Sequence, residues 1–316
     1  MLMMGRGTNN GDPEKEDDQS GEYRIQPQSE RDEQQQTDRI LSQELLRLSF
    51  KERNNINEEI HGVRNAFPEE KEDPECIELS LIAMDCEVGN ILMRSDTNNT
   101  HGNNHSNDFP GLELQHIPTN RALKLTFLRC ELHDPQKAAL RLLNYVSLIR
   151  DMCSCKSRDC FGEGGRIIAS KWFTNYEYSV LKKGVIQLLP FRDMCGRRVM
   201  VPFAACFKIN SITRIKIILY LLSGASEDVE SQKNGLVMLI WPGICEHLTK
   251  LAEGFSLENF VVSKQYSYRL QMSLPLRIVA FHFGYEPSPL LRLGRAMILT
   301  IMKKTIRIRI NILTGR

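Results

Sequence analysis

The chain has 316 residues, a hydrophobic content of 41% and a formal net charge of +2, enough for one or two domains around one sizeable core. Its charge is unevenly spread: residues 1–120 carry 25 acidic and 11 basic side chains, and residues 121–316 carry 14 and 30. No run reaches the roughly 18 apolar residues of a membrane span, and the start, MLMMGRGTNNGDPEKEDD, meets acids too soon for a secretory signal. The expectation is therefore an intracellular, cytoplasmic protein, its nine cysteines present as reduced thiols.

Residues 1–37 form a polar, acidic, glutamine-rich tail that offers little to bury and is expected to be disordered. From Asp38 to Val63, Ile40, Leu41, Leu45, Leu48, Ile56, Ile60 and Val63 recur at helical spacing, with Gly62 as a stop. This predicts an amphipathic helix over 38–63 that packs on the main domain or binds a protein partner. Asp73-Pro74 places an N-cap before a proline at the first helical position. Ile77, Leu81, Met84, Val88 and Leu92 then define one apolar face, so residues 38–93 read as an amphipathic helical region. Residues 94–118 are a low-complexity linker. His101 and His105 lie four apart there, but Gly102 and the surrounding asparagines oppose the helix that would join them on a metal.

A helical block follows over residues 119–184. Thr119 or Asn120 caps a helix over Arg121–Glu131, and Asp134-Pro135 starts another that buries Leu142, Tyr145, Val146 and Ile149. Cys153, Cys155 and Cys160 are spaced too tightly for a zinc ligand set and read as loop thiols. Gly162–Arg166 lacks the lysine and hydroxyl of a phosphate-cradling loop and reads as a turn. Ser170 is expected to cap a helix over Lys171–Lys183, with Trp172, Phe173, Tyr176 and Val180 on its apolar side.

Residues 185–316 alternate apolar runs with helical patterns. Ile186–Phe191 and Val199–Val201 flank an Asp-x-x-Gly turn as a hairpin, with Arg197 and Arg198 at its base. Ile212–Leu222 is an apolar helix, Gly235–Gly243 a buried strand, and Ile244–Gly254 a basic helix. Ile278–Phe283 is a second buried strand ended by Gly284. After Pro287 and Pro289 comes a helix over Leu290–Met302, apolar on nearly every side except at Arg292 and Arg295. Such a helix is buried or faces something other than water, and about 13 residues are too few to cross a bilayer. The alternation predicts an α/β fold: a helical N-terminal subdomain, then a mixed, largely parallel sheet flanked by helices. From Ser263 onward there are ten basic residues against one acid, Glu286, a balance that suits phosphate, on lipid headgroups or on nucleic acid. They lack the interleaved aromatics of single-strand binders, so no nucleic acid is expected.

Several of these segments resemble, in order, the motifs of the CRAL-TRIO lipid-binding family. Phe127-Leu128-Arg129 and Asp134–Ala139 are similar to its helical subdomain, and Arg192-Asp193 with Gly196-Arg197-Arg198 resembles its hairpin. Glu230-Ser231-Gln232 before Gly235-Leu236-Val237, and Pro275–Phe283, resemble the entries to its two central strands. The likeness covers roughly residues 119–316. It implies one hydrophobic lipid held between the sheet and a mobile gate helix, without chemistry and without a cofactor other than that lipid. Leu276 stands where phosphatidylinositol-binding members often carry an acid, and the domain over 185–316 is expected to be C-terminally truncated or divergent.

On this reading Met238, Ile240, Phe281 and Phe283 line the pocket, and Leu290, Leu293, Met297 and Ile301 belong to the gate. Lys303, Lys304, Arg307 and Arg309 touch anionic headgroups during transient contact with a membrane surface. His282 is expected to be a core histidine. No nucleophile–base pair, paired carboxylates or metal spacing points to an enzyme. The alternative is a non-transporting scaffold that binds a partner through the helix at 38–63.

Overall fold

The computed structural model describes residues 39, 42–98, 109, 112–114, 117–118, 120–153, 160–162, 165–203, 206, 209–240, 257–285, 299, 302 and 304–314. The expected N-terminal tail, most of the asparagine-rich linker with His101 and His105, the expected helix at 244–254 and most of that at 290–302 lie outside these residues.

Helix α1 (Phe50–Ile60) is shorter than the helix predicted over 38–63. Ser49 closes a capping box: its hydroxyl accepts from the Glu52 amide, and the Glu52 carboxylate accepts from the Ser49 amide. Residues 42–46 are helical but separate, because the cap restarts the chain at Phe50. Helix α2 (Pro74–Asn98) starts as predicted, with the Asp73 carboxylate accepting from the Glu75 and Cys76 amides. Ile77, Leu81, Met84, Val88 and Leu92 are all buried.

Asn120 caps α3 (Arg121–Cys130), and Asp134 caps α4 (Pro135–Met152). Leu142, Tyr145, Val146 and Ile149 of α4 are wholly enclosed. Between the two helices, the His133 amide donates to the Leu128 carbonyl and the Leu132 amide to that of Arg129. This is a Schellman-type ending with leucine where glycine is usual, and Leu132 and His133 both have positive φ.

The single helix expected from Ser170 is instead two, α5 (Ala169–Trp172) and α6 (Asn175–Lys182). Thr174 and Glu177 form a capping box that starts α6 afresh, while the Trp172 indole donates to the Lys216 carbonyl at 3.0 Å. Cys153 and Cys160 are joined in a disulfide, which corrects the expectation of reduced thiols there.

Five strands form one sheet in chain order: β1 (Ile186–Arg192), β2 (Arg198–Pro202), β3 (Leu236–Ile240), β4 (Ile278–Tyr285) and β5 (Ile310–Thr314). β1 and β2 are an antiparallel hairpin, turned at Asp193–Gly196, and the remaining pairs are parallel. Parallel neighbours need long crossovers. The β2–β3 link contains α7 (Ser211–Ala225) and α8 (Val229–Asn234), and the β3–β4 link contains α9 (Leu257–Gln271). A short helix, α10 (Lys304–Arg307), precedes β5. The fold is thus α/β with a largely parallel sheet, as its sequence predicts.

One apolar cluster runs from α2 through α3, α4 and α7 to one face of the sheet. A smaller cluster joins Ile60 of α1 to Val199, Val201, Val237, Val279 and Ala280 on the other face. Among the described residues no helix is long and apolar enough to cross a membrane.

Candidate functional site

The register of β3 on β4 places the four expected pocket residues together. Leu236 pairs with Ile278, but Val237 pairs with Ala280, so β4 carries one extra residue at Val279. Beyond this irregularity Met238 lies opposite Phe281, and Ile240 opposite Phe283. Directly opposed residues share a face, and all four belong to the larger cluster, with Ile310 of β5 packed against it. The extra residue lets Ile278 and Phe281 face the same side while Val279 and Ala280 face α1.

All four expected pocket residues are buried, Met238, Ile240, Phe281 and Phe283 retaining 9%, 6%, 5% and 7% of their surface. Ile240 and Phe283 lie toward the carboxyl ends of the parallel strands, the end at which open α/β sheets bind ligands. Leu299, Met302 and Ile306 are buried, the last two within the same cluster. The expected gate residues Leu290, Leu293, Met297 and Ile301 lie outside the described residues, as does Lys303.

The other face is electrostatic. Glu59, in the last turn of α1, is buried and accepts from Arg277 on one carboxylate oxygen and from Arg309 on the other. Arg197 donates to the backbone carbonyls of Glu59 and Ile60 at 2.6 and 3.2 Å, a cation at a helix C-terminus. Its Nε meets Asp193 at 2.6 Å. Burial, reinforced by Arg309, pushes the Arg277 guanidinium down to about 9, and burial also lowers Arg309. Arg192 pairs with Asp228, whose side chain caps α8 through the Ser231 amide. The hairpin and strand-entry motifs therefore fasten α1 and α8 to the sheet.

Of the expected headgroup cations, Lys304 is exposed. Arg307 is paired with Glu44 at 2.5 Å and Arg309 with Glu59. Sequence reasoning missed Glu59. The available signal was an acid adjoining Ile60 and three residues after Ile56, on the apolar stripe of its helix.

A second buried network ties the helical layer to the 3₁₀ turn Glu69–Glu72. Arg129 donates to both Glu72 oxygens, at 3.0 and 2.6 Å, and to Gln232 at 2.7 Å. His133 meets Glu72 at 3.0 Å. Burial lowers the His133 pKa although Glu72 opposes it. Burial raises Glu72, but Arg129, Lys233 and His133 outweigh it and the net shift is downward. His282 is half-buried and lowered by burial, then by Arg197 and His61, with Asp193 opposing. These groups are already committed to structural partners or held neutral, and the buried thiols of Cys130 and Cys206 are pushed up to about 12 and about 11 by burial.

A shallow cavity of about 340 Å³ lies apart from the sheet, lined by Gly162, Arg166, Ile167, Ile168, Ala169 and Tyr220. Among the described residues no cluster of His, Cys, Asp and Glu is placed to hold a metal ion.

No family model matches the chain, and no curated protein matches it. Among solved structures it is similar to the crystal structure of Sfh5, at 10% identity over 76% of this chain and 81% of that one, with a TM-score of 0.41.

Proposed function

We propose that the protein binds one hydrophobic lipid, in the manner of the CRAL-TRIO proteins its motifs resemble, on the sheet face built by Met238, Ile240, Phe281 and Phe283. The observation that carries this reading is the pairing of these four apolar residues on one face of the sheet, toward the carboxyl ends of its parallel strands. Burying one such side chain against an acyl chain is worth roughly 1.5–3 kcal/mol, so a few contacts retain a lipid yet release it at a bilayer. The apolar segment with Leu290, Leu293, Met297 and Ile301 serves as the cover. Lys303 and the exposed Lys304 are the cations left to meet anionic headgroups, given the carboxylate partners of Arg307 and Arg309. The role is carriage or presentation of lipid at membranes, not catalysis.

Native mass spectrometry of the purified protein, with organic extraction of what copurifies, tests this reading. A stoichiometric lipid is expected. Protein that arrives empty and takes up nothing from liposomes would overturn it. The scaffold reading then gains weight, because Leu79, Ile82 and Met93 form an exposed apolar stripe on α2, opposite its buried face.

A further inference from the structure

Three arginines from separate strands or their entries converge behind the sheet: Arg197 before β2, Arg277 before β4 and Arg309 before β5. Their balance is uneven. Among the described residues, Arg197 is matched by Asp193, while Arg277 and Arg309 share the single charge of Glu59. Each Glu59 oxygen is taken by one arginine, and the Arg277 Nε remains buried without a hydrogen-bond partner. A carboxylate thus supplies one negative charge and two acceptor oxygens to a site that presents two cations and a spare donor. A phosphomonoester supplies up to two charges and three terminal oxygens, and planar guanidinium groups suit it.

Glu59 comes from outside the sheet, on α1, whose last turn these contacts hold. Within α1 only Ile60 is a buried apolar residue, Ile56 is partly buried, and Phe50 is 71% exposed. Little apolar burial opposes lifting α1 away, and doing so would uncover Arg277 and Arg309 together.

We propose that Arg277 and Arg309 form a binding site for a phosphomonoester, and that Glu59 of α1 occupies this site in cis until phosphate displaces it. The site lies on the face opposite the proposed lipid surface and does not depend on that reading. When a competent state is populated only fractionally, apparent affinity falls by that fraction. Neutralising Glu59 therefore raises phosphate affinity, by about 10- to 100-fold if α1 is open between roughly 1 and 10% of the time.

The test uses the full chain with two probes: inorganic pyrophosphate, and phosphatidylcholine vesicles with or without phosphatidic acid. Titration calorimetry of pyrophosphate should show weak binding to the wild type, tighter binding to Glu59→Gln, and none to Arg309→Met. Independently of any variant, saturating pyrophosphate should speed hydrogen exchange at residues 50–62 of the wild type and leave α4 unchanged. Binding unaffected by both substitutions, or binding without faster exchange in α1, would overturn the proposal. Vesicle binding that needs phosphatidic acid, is competed by pyrophosphate and is lost in Arg309→Met assigns the site to a lipid headgroup. Pyrophosphate binding without such vesicle binding assigns it to soluble phosphate esters. Lipid extraction from the same samples reads the proposed lipid site separately.

Discussion

His133 has a positive φ, a buried ring, a Glu72 contact on Nε2 and no partner on Nδ1. Its folded pKa lies below the ordinary imidazole value because burial disfavours the cation. The neutral ring is therefore the native form, and the unfolded chain takes up the proton first as pH falls. Stability from this group is complete above the ordinary value of 6.5 and is lost as pH drops from there toward the folded pKa. His282 shifts in the same direction, and Glu72 adds a further loss below the carboxylate range. Melting temperature should fall as pH drops below about 6.5. His133→Asn, which tolerates the left-handed backbone, should flatten part of that slope. An unchanged slope would refute the assignment. The cysteines differ as sharply. In native protein a thiol reagent should label exposed Cys76, Cys86 and Cys195, whereas Cys130 and Cys206 should react only after denaturation, being enclosed and poorly ionised.

The helices differ in what their caps support. Asp134 caps α4, whose inner face is the centre of the larger cluster. Losing that cap is felt by the whole fold, and Asp134→Ala should cost about 1 kcal/mol in chemical denaturation, within the usual range of 0.5–2. Ser49 caps α1, which rests on the smaller cluster and on arginine contacts. Ser49→Ala should quicken exchange in α1 while barely moving the global midpoint, because weakly anchored elements open locally. A loss of global stability as large as that of Asp134→Ala would show that α1 is integral to the core.

At the scale of the molecule, the larger cluster is continuous from Ile77 to Ile306 and joins the helical layer to the sheet. Leu142 belongs to the first and Phe281 to the second, and both sit in that one cluster. Leu142→Ala and Phe281→Ala should therefore lower a single unfolding transition, by about 2–5 and about 3–5 kcal/mol respectively. Two separated calorimetric transitions would indicate independently folding layers. If lipid occupies the face built by Met238, Ile240, Phe281 and Phe283, delipidation should lower the same transition, since a ligand of the native state stabilises it by mass action.

Local chemistry was legible in the sequence. Asp73, Asn120 and Asp134 cap the helices they precede, and the apolar positions of α2 and α4 turn inward as their spacing requires, because caps and periodicity act within a few residues. The apolar runs at β3 and β4 likewise became buried parallel strands. Thr174 and Ser49 broke two predicted helices because their capping boxes compete locally with an uninterrupted apolar pattern. The disulfide between Cys153 and Cys160 depends on where the chain turns after α4, which spacing does not state. Alternation along a strand says only that Met238 and Ile240 share a face and that Phe281 and Phe283 share one. The register, shifted by the extra residue at Val279, decides that the two pairs share the same face. The partners of Glu59 are more distant still: Arg277 and Arg309 are far away in the chain and meet it only when α1 lies across the sheet. Caps and apolar spacing fixed most elements and the side of each that is buried. Which faces meet and which charges neutralise one another was settled only in the folded molecule, because register and long-range ion pairing arise from packing between segments rather than within them.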